Sequence, residues 1–474
     1  MLTSSDILCK MKFRFHNNKL LASALVTVFT SALIQAASLS YTYASERPNI
    51  VYILSDTPTG REVGIKPTQS DRATNIESLA NSGVTFTRFY SPPGASPSRA
   101  AALTGRYPFR LGFQTGSVLP WSTYGLAPDE RLLSQALNLA GYKTAFFGSW
   151  LLGHSQRSFL PTHRGFDHFR GHLTPLNADI QKLDLRGQKD WFHDERQVDS
   201  PEPVPELIGR EAALFITKSS PKEPLFLFVS FSSPNLAQTN HDDFDSEALT
   251  EKNTDQDNSR ADNLSIDHAL GQILKALKSS NILENTLIVF QSGNQLGFKE
   301  LACATASERL ELSPGCLKEE YIRPRVIWSW PGKITHGTSP YLVHAVDVYA
   351  TLLNIAGAST DRQSQVKPLD GVDIWPLLTN RKSEVRQSTI ININEFGGGI
   401  IHGKWKLVSR GSLPYRVELY DTENDPLAQI NVASQYPELT QELTNELIDI
   451  SWEMVPSLYL EDLMKAKHHR TPLF

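Results

Sequence analysis

The chain has 474 residues, more than one small hydrophobic core accommodates, because single cores stop growing near roughly 250–300 residues. One large domain and one smaller one are therefore expected. Hydrophobic residues make up 40% and charged residues 20%, an ordinary globular balance, and a formal net charge of -5 excludes the basic field of a general nucleic-acid binder.

Residues 1–45 read as an export signal. Residues 11–19 carry Lys12, Arg14 and Lys19, an apolar run occupies residues 20–34, and Ala36, Ala37 and Ala44 offer small-residue cleavage sites. Met11 is a natural start, which makes residues 1–10 an upstream extension. The apolar run is shorter than the about 18 residues of a spanning helix, which favours cleavage over an uncleaved anchor. No other segment is apolar enough to span a bilayer, so a secreted or periplasmic protein without a stable membrane span is expected. Signal removal leaves Cys303 and Cys316 within one loop-like stretch. In an oxidising compartment a disulfide between them is favoured over a two-cysteine metal site, which lacks nearby histidines.

After the signal, strands alternate with helices. Residues 49–54 (NIVYIL) form a short β-branched run suited to a buried parallel strand. Residues 74–81 place Ile76, Leu79 and Ala80 on one helical face, with Thr74 as N-cap and Gly83 just beyond the end. A helix over 130–140 precedes a strand over 143–147, and residues 225–230, 287–291 and 325–330 read as further core strands, with a helix over 263–278. The pattern predicts an α/β domain over residues 46–382, with a mostly parallel central sheet covered by helices on both faces. Beyond residue 383, strands over 388–395, 403–410 and 416–421, a turn at Gly397-Gly398-Gly399 and an amphipathic helix over 438–452 predict a small α+β domain with an antiparallel sheet, residues 383–474. Ligands of open parallel sheets gather beyond the carboxyl ends of the strands. That rule points to Asp56 and Thr57, to Ser149, to Asn235, and to Gly293 and Asn294.

Residues 91–112 (SPPGASPSRAAALTGRYPFRLG) carry a denser pattern. They resemble the signature of the sulfatase family, in the alkaline-phosphatase-like superfamily, which runs Cys-x-Pro-Ser-Arg, a few small residues, then Thr-Gly-Arg. In that family the Cys becomes a formylglycine whose hydrated aldehyde attacks the sulfate sulfur, and a calcium ion is also used. Aligned through Pro97, Ser98, Arg99, Thr104, Gly105 and Arg106, the Cys position falls on Ala95. The similarity runs from about residue 47 to about residue 430 through ERPNIVYILSD, ATNIESLANSGVTFTRFYS, GSWLLGH, PLFLFVSFSSPN, NTLIVFQSGNQ, WPGKI, HAVDVYATLLNIAG, LDGVDIWPLL and ELYDTENDP, all in family order. It implies the alkaline-phosphatase fold with a small C-terminal antiparallel sheet.

The same alignment implies losses. Thr57 and Gly293 stand where the family has metal carboxylates, leaving Asp56 and Asn294 as vestigial ligands. Ser149 and Leu151 replace a Lys and a His that contact the sulfate and nucleophile, and Asn235 replaces the His proposed as acid for the leaving group. One carboxylate is a thin shell for a dication whose affinity depends on charged oxygen ligands, and an amide cannot supply general acid catalysis. No catalytic residue is intact, and neither calcium nor formylglycine is expected. The reading is an exported pseudoenzyme that binds a sulfated glycan or other anionic ligand, or another exported protein. The alternative is an active sulfate or phosphate ester hydrolase with an unorthodox nucleophile or metal set.

Several residues carry competing roles. Ser96 and Ser98 offer hydroxyls beside the site but suit a cap and a structural hydrogen bond. Arg99 suits anion binding or pairing with Asp56 equally. His154 reads as a loop residue in place of a substitute for the missing His, the acidic group His241, Asp242, Asp243 and Asp245 as a solvated loop, and Asp267 as an exposed or capping residue. Trp405 and Tyr415 suit a substrate groove or, more simply, packing.

Overall fold

The computed structural model describes residues 47–56, 74–178, 180–232, 254–293, 317–358, 367–381, 383–411 and 416–468. In chain order the elements used below are β1 (Asn49–Ser55), α1 (Thr74–Ser82), β2 (Val84–Phe86), α2 (Ala95–Thr104), α3 (Leu133–Leu139), β3 (Lys143–Ser149), β4 (His168–His172), β5 (Phe192–His193), β6 (Arg196–Gln197), α4 (Val204–Lys218), β7 (Leu225–Phe231), α5 (Thr254–Ser279), β8 (Thr286–Gln291), β9 (Val326–Ser329), β10 (Gly337–Ser339), α6 (Asp347–Ile355), β11 (Ser388–Asn394), β12 (Gly397–His402), β13 (Trp405–Arg410), β14 (Arg416–Asp421) and α7 (Pro437–Ser451).

Among the described residues β1 to β10 form one sheet, in the order β10-β2-β9-β8-β1-β7-β3-β4-β5-β6. Its centre is parallel: β1 pairs with both β7 and β8, β7 with β3, and β3 with β4. Every residue of β1, β7 and β8 is buried, as expected of strands covered on both faces. Alternate side chains of β1 serve two apolar layers. Ile50, Tyr52 and Leu54 face a core shared with α2, α3 and α6, while Val51 and Ile53 face one shared with α1, α4 and α5. The strand predicted over 325–330 is β9, and it runs antiparallel to β8. Run composition gives burial but not direction.

The small antiparallel sheet has the order β11-β12-β13-β14. Here one prediction needs correcting: Gly397, Gly398 and Gly399 are not a turn but the first half of β12, and the turn lies at Glu395-Phe396. The glycines serve close approach. A Cβ on Gly397 would lie 2.1 Å from the Ser409 carbonyl oxygen, and Gly397 has φ 147, a left-handed conformation that side chains rarely adopt. Helix α7 lays Leu443 and Leu447 on this sheet, and both join Ile390, Ile400, Leu407 and Leu419 in the apolar cluster that continues under the large sheet.

Candidate functional site

The site lies where the carboxyl ends of β1, β3, β7 and β8 meet the start of α2. All ten residues of α2 are buried. Its small Ala100, Ala101 and Ala102 let the helix sit against α6 and the sheet, and Gly105, with φ 69, ends it in the left-handed conformation typical of helix termini. Ala95 is the first helical residue, so its methyl group stands at the sheet's carboxyl edge, where the sequence alignment sets the nucleophile.

One turn later Arg99 points back to the strand ends, fully buried. Its Nη1 and Nη2 donate to Asp56 Oδ1 and Oδ2 at 2.9 and 2.7 Å, Nε to the Ser149 carbonyl at 2.9 Å, Nη2 also to Ser230 Oγ at 2.6 Å, and Nη1 also to the Ala95 carbonyl at 2.8 Å. A guanidinium has five N–H donors, and these five bonds use them all. Of the two roles open to Arg99, the geometry takes the pairing with Asp56. The pair is bidentate, the strong arrangement for arginine and carboxylate, and its two charges cancel inside the protein.

Asp56 is fixed from the other side as well: its backbone N–H donates to the Phe231 carbonyl at 2.8 Å. Gly293, past the end of β8, packs on the Asp56 backbone so closely that a Cβ on it would lie 2.2 Å from the Asp56 carbonyl carbon and oxygen. Ser149 is fully buried, and its Oγ has no hydrogen-bond partner among the described residues. Leu151 is 3% exposed and has φ 54, an uncommon and strained conformation for a branched side chain. Part of what holds it there is Ser96, whose Oγ donates to the Leu151 carbonyl at 2.6 Å and accepts from the Val118 N–H at 3.1 Å. Ser98 Oγ bonds to the carbonyls of Pro92 and Gly94, both at 2.8 Å. Both serine hydroxyls thus carry structural bonds.

Two neighbours escaped the sequence reading. Ser230 is an unremarkable hydroxyl within an apolar strand, and only the register of β7 beside β1 brings it to Arg99. His172 ends β4 opposite Ser149. Its Nδ1 bonds to the Thr174 carbonyl at 2.7 Å, and its Nε2 pairs with Ser232 Oγ at 3.0 Å. Because a carbonyl only accepts, Nδ1 carries the proton. Burial pushes the His172 pKa below the ordinary imidazole value, against the opposing pull of Asp190.

The remaining predicted residues divide. His154 is half-buried, and its Nε2 bonds the Leu119 carbonyl at 3.0 Å. Asp267 caps α1: its carboxylate accepts from the N–H groups of Asn75 and Ile76 at 2.9 and 2.8 Å. Trp405 packs on Tyr436, ring centroids 4.8 Å apart. Thr57, Asn235, His241, Asp242, Asp243, Asp245, Asn294, Cys303, Cys316 and Tyr415 lie outside the described residues. Asp56, Ser149 and Gly293, pointed to by the strand-end rule, and Ala95, Arg99 and Leu151, added by the family alignment, lie together at one sheet edge.

Comparison with known proteins gives a consistent result. The family model described as Sulfatase matches residues 48–358. Arylsulfatase A of Homo sapiens is 28% identical over 375 residues, which cover 72% of this chain and 69% of that protein. Among solved structures, Ps i-CgsB in complex with k-i-k-neocarrahexaose superposes with a TM-score of 0.70 at 24% identity, covering 90% of this chain and all of that one. BT4656 in complex with its substrate D-glucosamine-2-N,6-O-disulfate gives a TM-score of 0.62 at 19% identity, over 86% of this chain and 98% of that one.

Proposed function

Because this chain belongs to the sulfatase family, whose members are sulfuric ester hydrolases, we propose that it is a member without that hydrolase activity, acting by binding. The observation that carries the reading is the complete use of Arg99: five internal bonds leave no N–H to receive a sulfate. Ala95 supplies no nucleophile. Ser96, the adjacent hydroxyl on which an unorthodox hydrolase would have to rely, is buried and bonded on both sides.

The described residues at this edge do not suit a calcium ion. Such an ion needs several oxygen ligands, charged ones for affinity, and Asp56 gives both carboxylate oxygens to Arg99 while Gly293 has no side chain to offer. We assign no step to a metal and expect no formylglycine. The ligand class we favour is a sulfated glycan held outside this buried edge, because solved relatives of the same fold carry sugars, one of them a disulfated glucosamine. Another exported protein is the second reading, favoured by the buried Leu151 and the internally bonded Arg99 at this edge. Export itself, the pairing of Cys303 with Cys316 and a separate small domain from residue 383 belong to the same proposal and rest on the sequence.

The test is direct. Purified protein is offered aryl sulfate and aryl phosphate esters, assayed for calcium by elemental analysis, and probed against sulfated oligosaccharides with their desulfated counterparts as controls. The expected result is no turnover, no stoichiometric calcium and retention of sulfated sugars alone. Turnover that Ser96→Ala abolishes would establish the hydrolase instead.

A further inference from the structure

A second cluster of chemistry-bearing side chains lies at the other end of β4, remote from the site above. His168 opens the strand and His172 closes it, so the two are separated by about 13 Å at roughly 3.3 Å per residue. Beside His168, β5 ends in His193, and the turn into β6 begins with Asp194. One ligand atom from each of His168, His193 and Asp194 falls in a group whose members all lie within 4.8 Å of one another. His168 Nδ1 is 3.3 Å from Asp194 Oδ1, and His193 Nε2 is 3.8 Å from Asp194 Oδ2.

We propose that His168, His193 and Asp194 form a binding site for a divalent first-row transition metal of the zinc or copper type. The spacing suits it: a tetrahedral ion with bonds of ~2.1 Å requires donor atoms about 3.4 Å apart, a short closing movement from what is seen. The donor set selects the metal, since two imidazoles and one carboxylate favour zinc, copper or nickel and offer too few oxygens for calcium or magnesium.

The ligands are oriented by the fold. Asp194 has φ 56, a left-handed conformation that aspartate tolerates better than most side chains. It is held there by its own N–H, which donates to the Phe169 carbonyl at 2.7 Å. The Phe169 N–H in turn donates to Asp194 Oδ1 at 2.9 Å, the kind of backbone partner that fixes a ligating carboxylate. The His168 ring stacks on Phe215, centroids 5.6 Å apart and 14° from parallel. His193 meets it edge-on at 5.1 Å. The nearby positive charge of Arg170 is offset by Glu211, 3.9 Å away. His193 and Asp194 are about half exposed, which gives an ion a route in and leaves a coordination position for water.

The test uses the full-length protein, stripped with a chelator and titrated with zinc chloride by calorimetry, with thermal melting as a second readout. Wild type is expected to bind one zinc at this site and to melt at higher temperature with it. His193→Ala alters an exposed ring and Asp194→Asn preserves the bond from Phe169. Each is expected to fold with the metal-free melting temperature of wild type, yet to lose that zinc or bind it at least about tenfold more weakly, a loss that even an outer partner can cause. Absence of zinc binding by the wild type would overturn the proposal. So would affinity, stoichiometry and melting shift that are unchanged in both variants, which would place the metal elsewhere.

Discussion

The buried pair of Asp56 and Arg99 sets what this sheet edge can tolerate. Asp56→Asn would keep an oxygen acceptor for one guanidinium bond but remove the charge that balances Arg99. Breaking one side of a buried ion pair typically costs about 3–5 kcal/mol, because the remaining charge stays out of water. Urea denaturation of this variant should show a lower midpoint with an unchanged slope, and equal midpoints would mean that Arg99 has other compensation. The sequence revealed both members of the pair but not that they are bound to each other, since pairing and anion binding fit the residue types equally well. The Ser149 carbonyl, Ser230 and His172 were invisible for a simpler reason. A backbone oxygen has no sequence signature, and a serine or histidine within a strand acquires a role only through its register with neighbouring strands.

Elements were more legible than their directions. The buried centres of β1, β3, β7 and β8 followed from unbroken apolar runs, each found within a residue or two of its predicted limits. By contrast β4, His-Phe-Arg-Gly-His, reads as polar sequence, because it lies toward the edge of the sheet and two of its five residues are only partly buried. β12 was hidden by glycines whose purpose is close packing. One polar anchor of the small sheet is Lys406 of β13, whose Nζ donates to the Leu317 carbonyl at 2.6 Å and to Glu319 Oε1 at 2.8 Å, with both side chains 1% exposed. Lys406→Met should therefore destabilise the protein, near the lower end of the roughly 3–5 kcal/mol for a broken buried pair, because Arg323 still holds Glu319 at 3.0 Å. The same denaturation measurement reports it, and a double variant with Glu319→Leu should recover much of the loss.

At the scale of the whole molecule, buried imidazoles give stability a direction in pH. Burial, with Arg386 adding to it, pushes the His344 pKa well below 6.5, and burial likewise lowers His172. Both stay neutral in the folded chain while the unfolded chain takes up protons as pH falls through about 6.5. Stability is therefore fully present above that value and declines below it, toward the folded pKa, by up to about 1.4 kcal/mol per pH unit for each group. Melting temperatures measured from pH 8 to pH 5 should fall on the acid side, and His344→Asn, which keeps an acceptor for the Val346 N–H, should flatten the decline. A profile unchanged by that variant would assign the loss to other groups. The overall architecture was recoverable because composition, strand ends and a long run of ordered motifs all implied one fold. The contact between Gly293 and the Asp56 backbone couples two distant parts of the chain. There is no room at position 293 for even one added carbon, since a Cβ would meet the Asp56 carbonyl carbon and oxygen at 2.2 Å. Any larger residue there would demand that the end of β1 retreat at the same time, so the two strand ends can change only together.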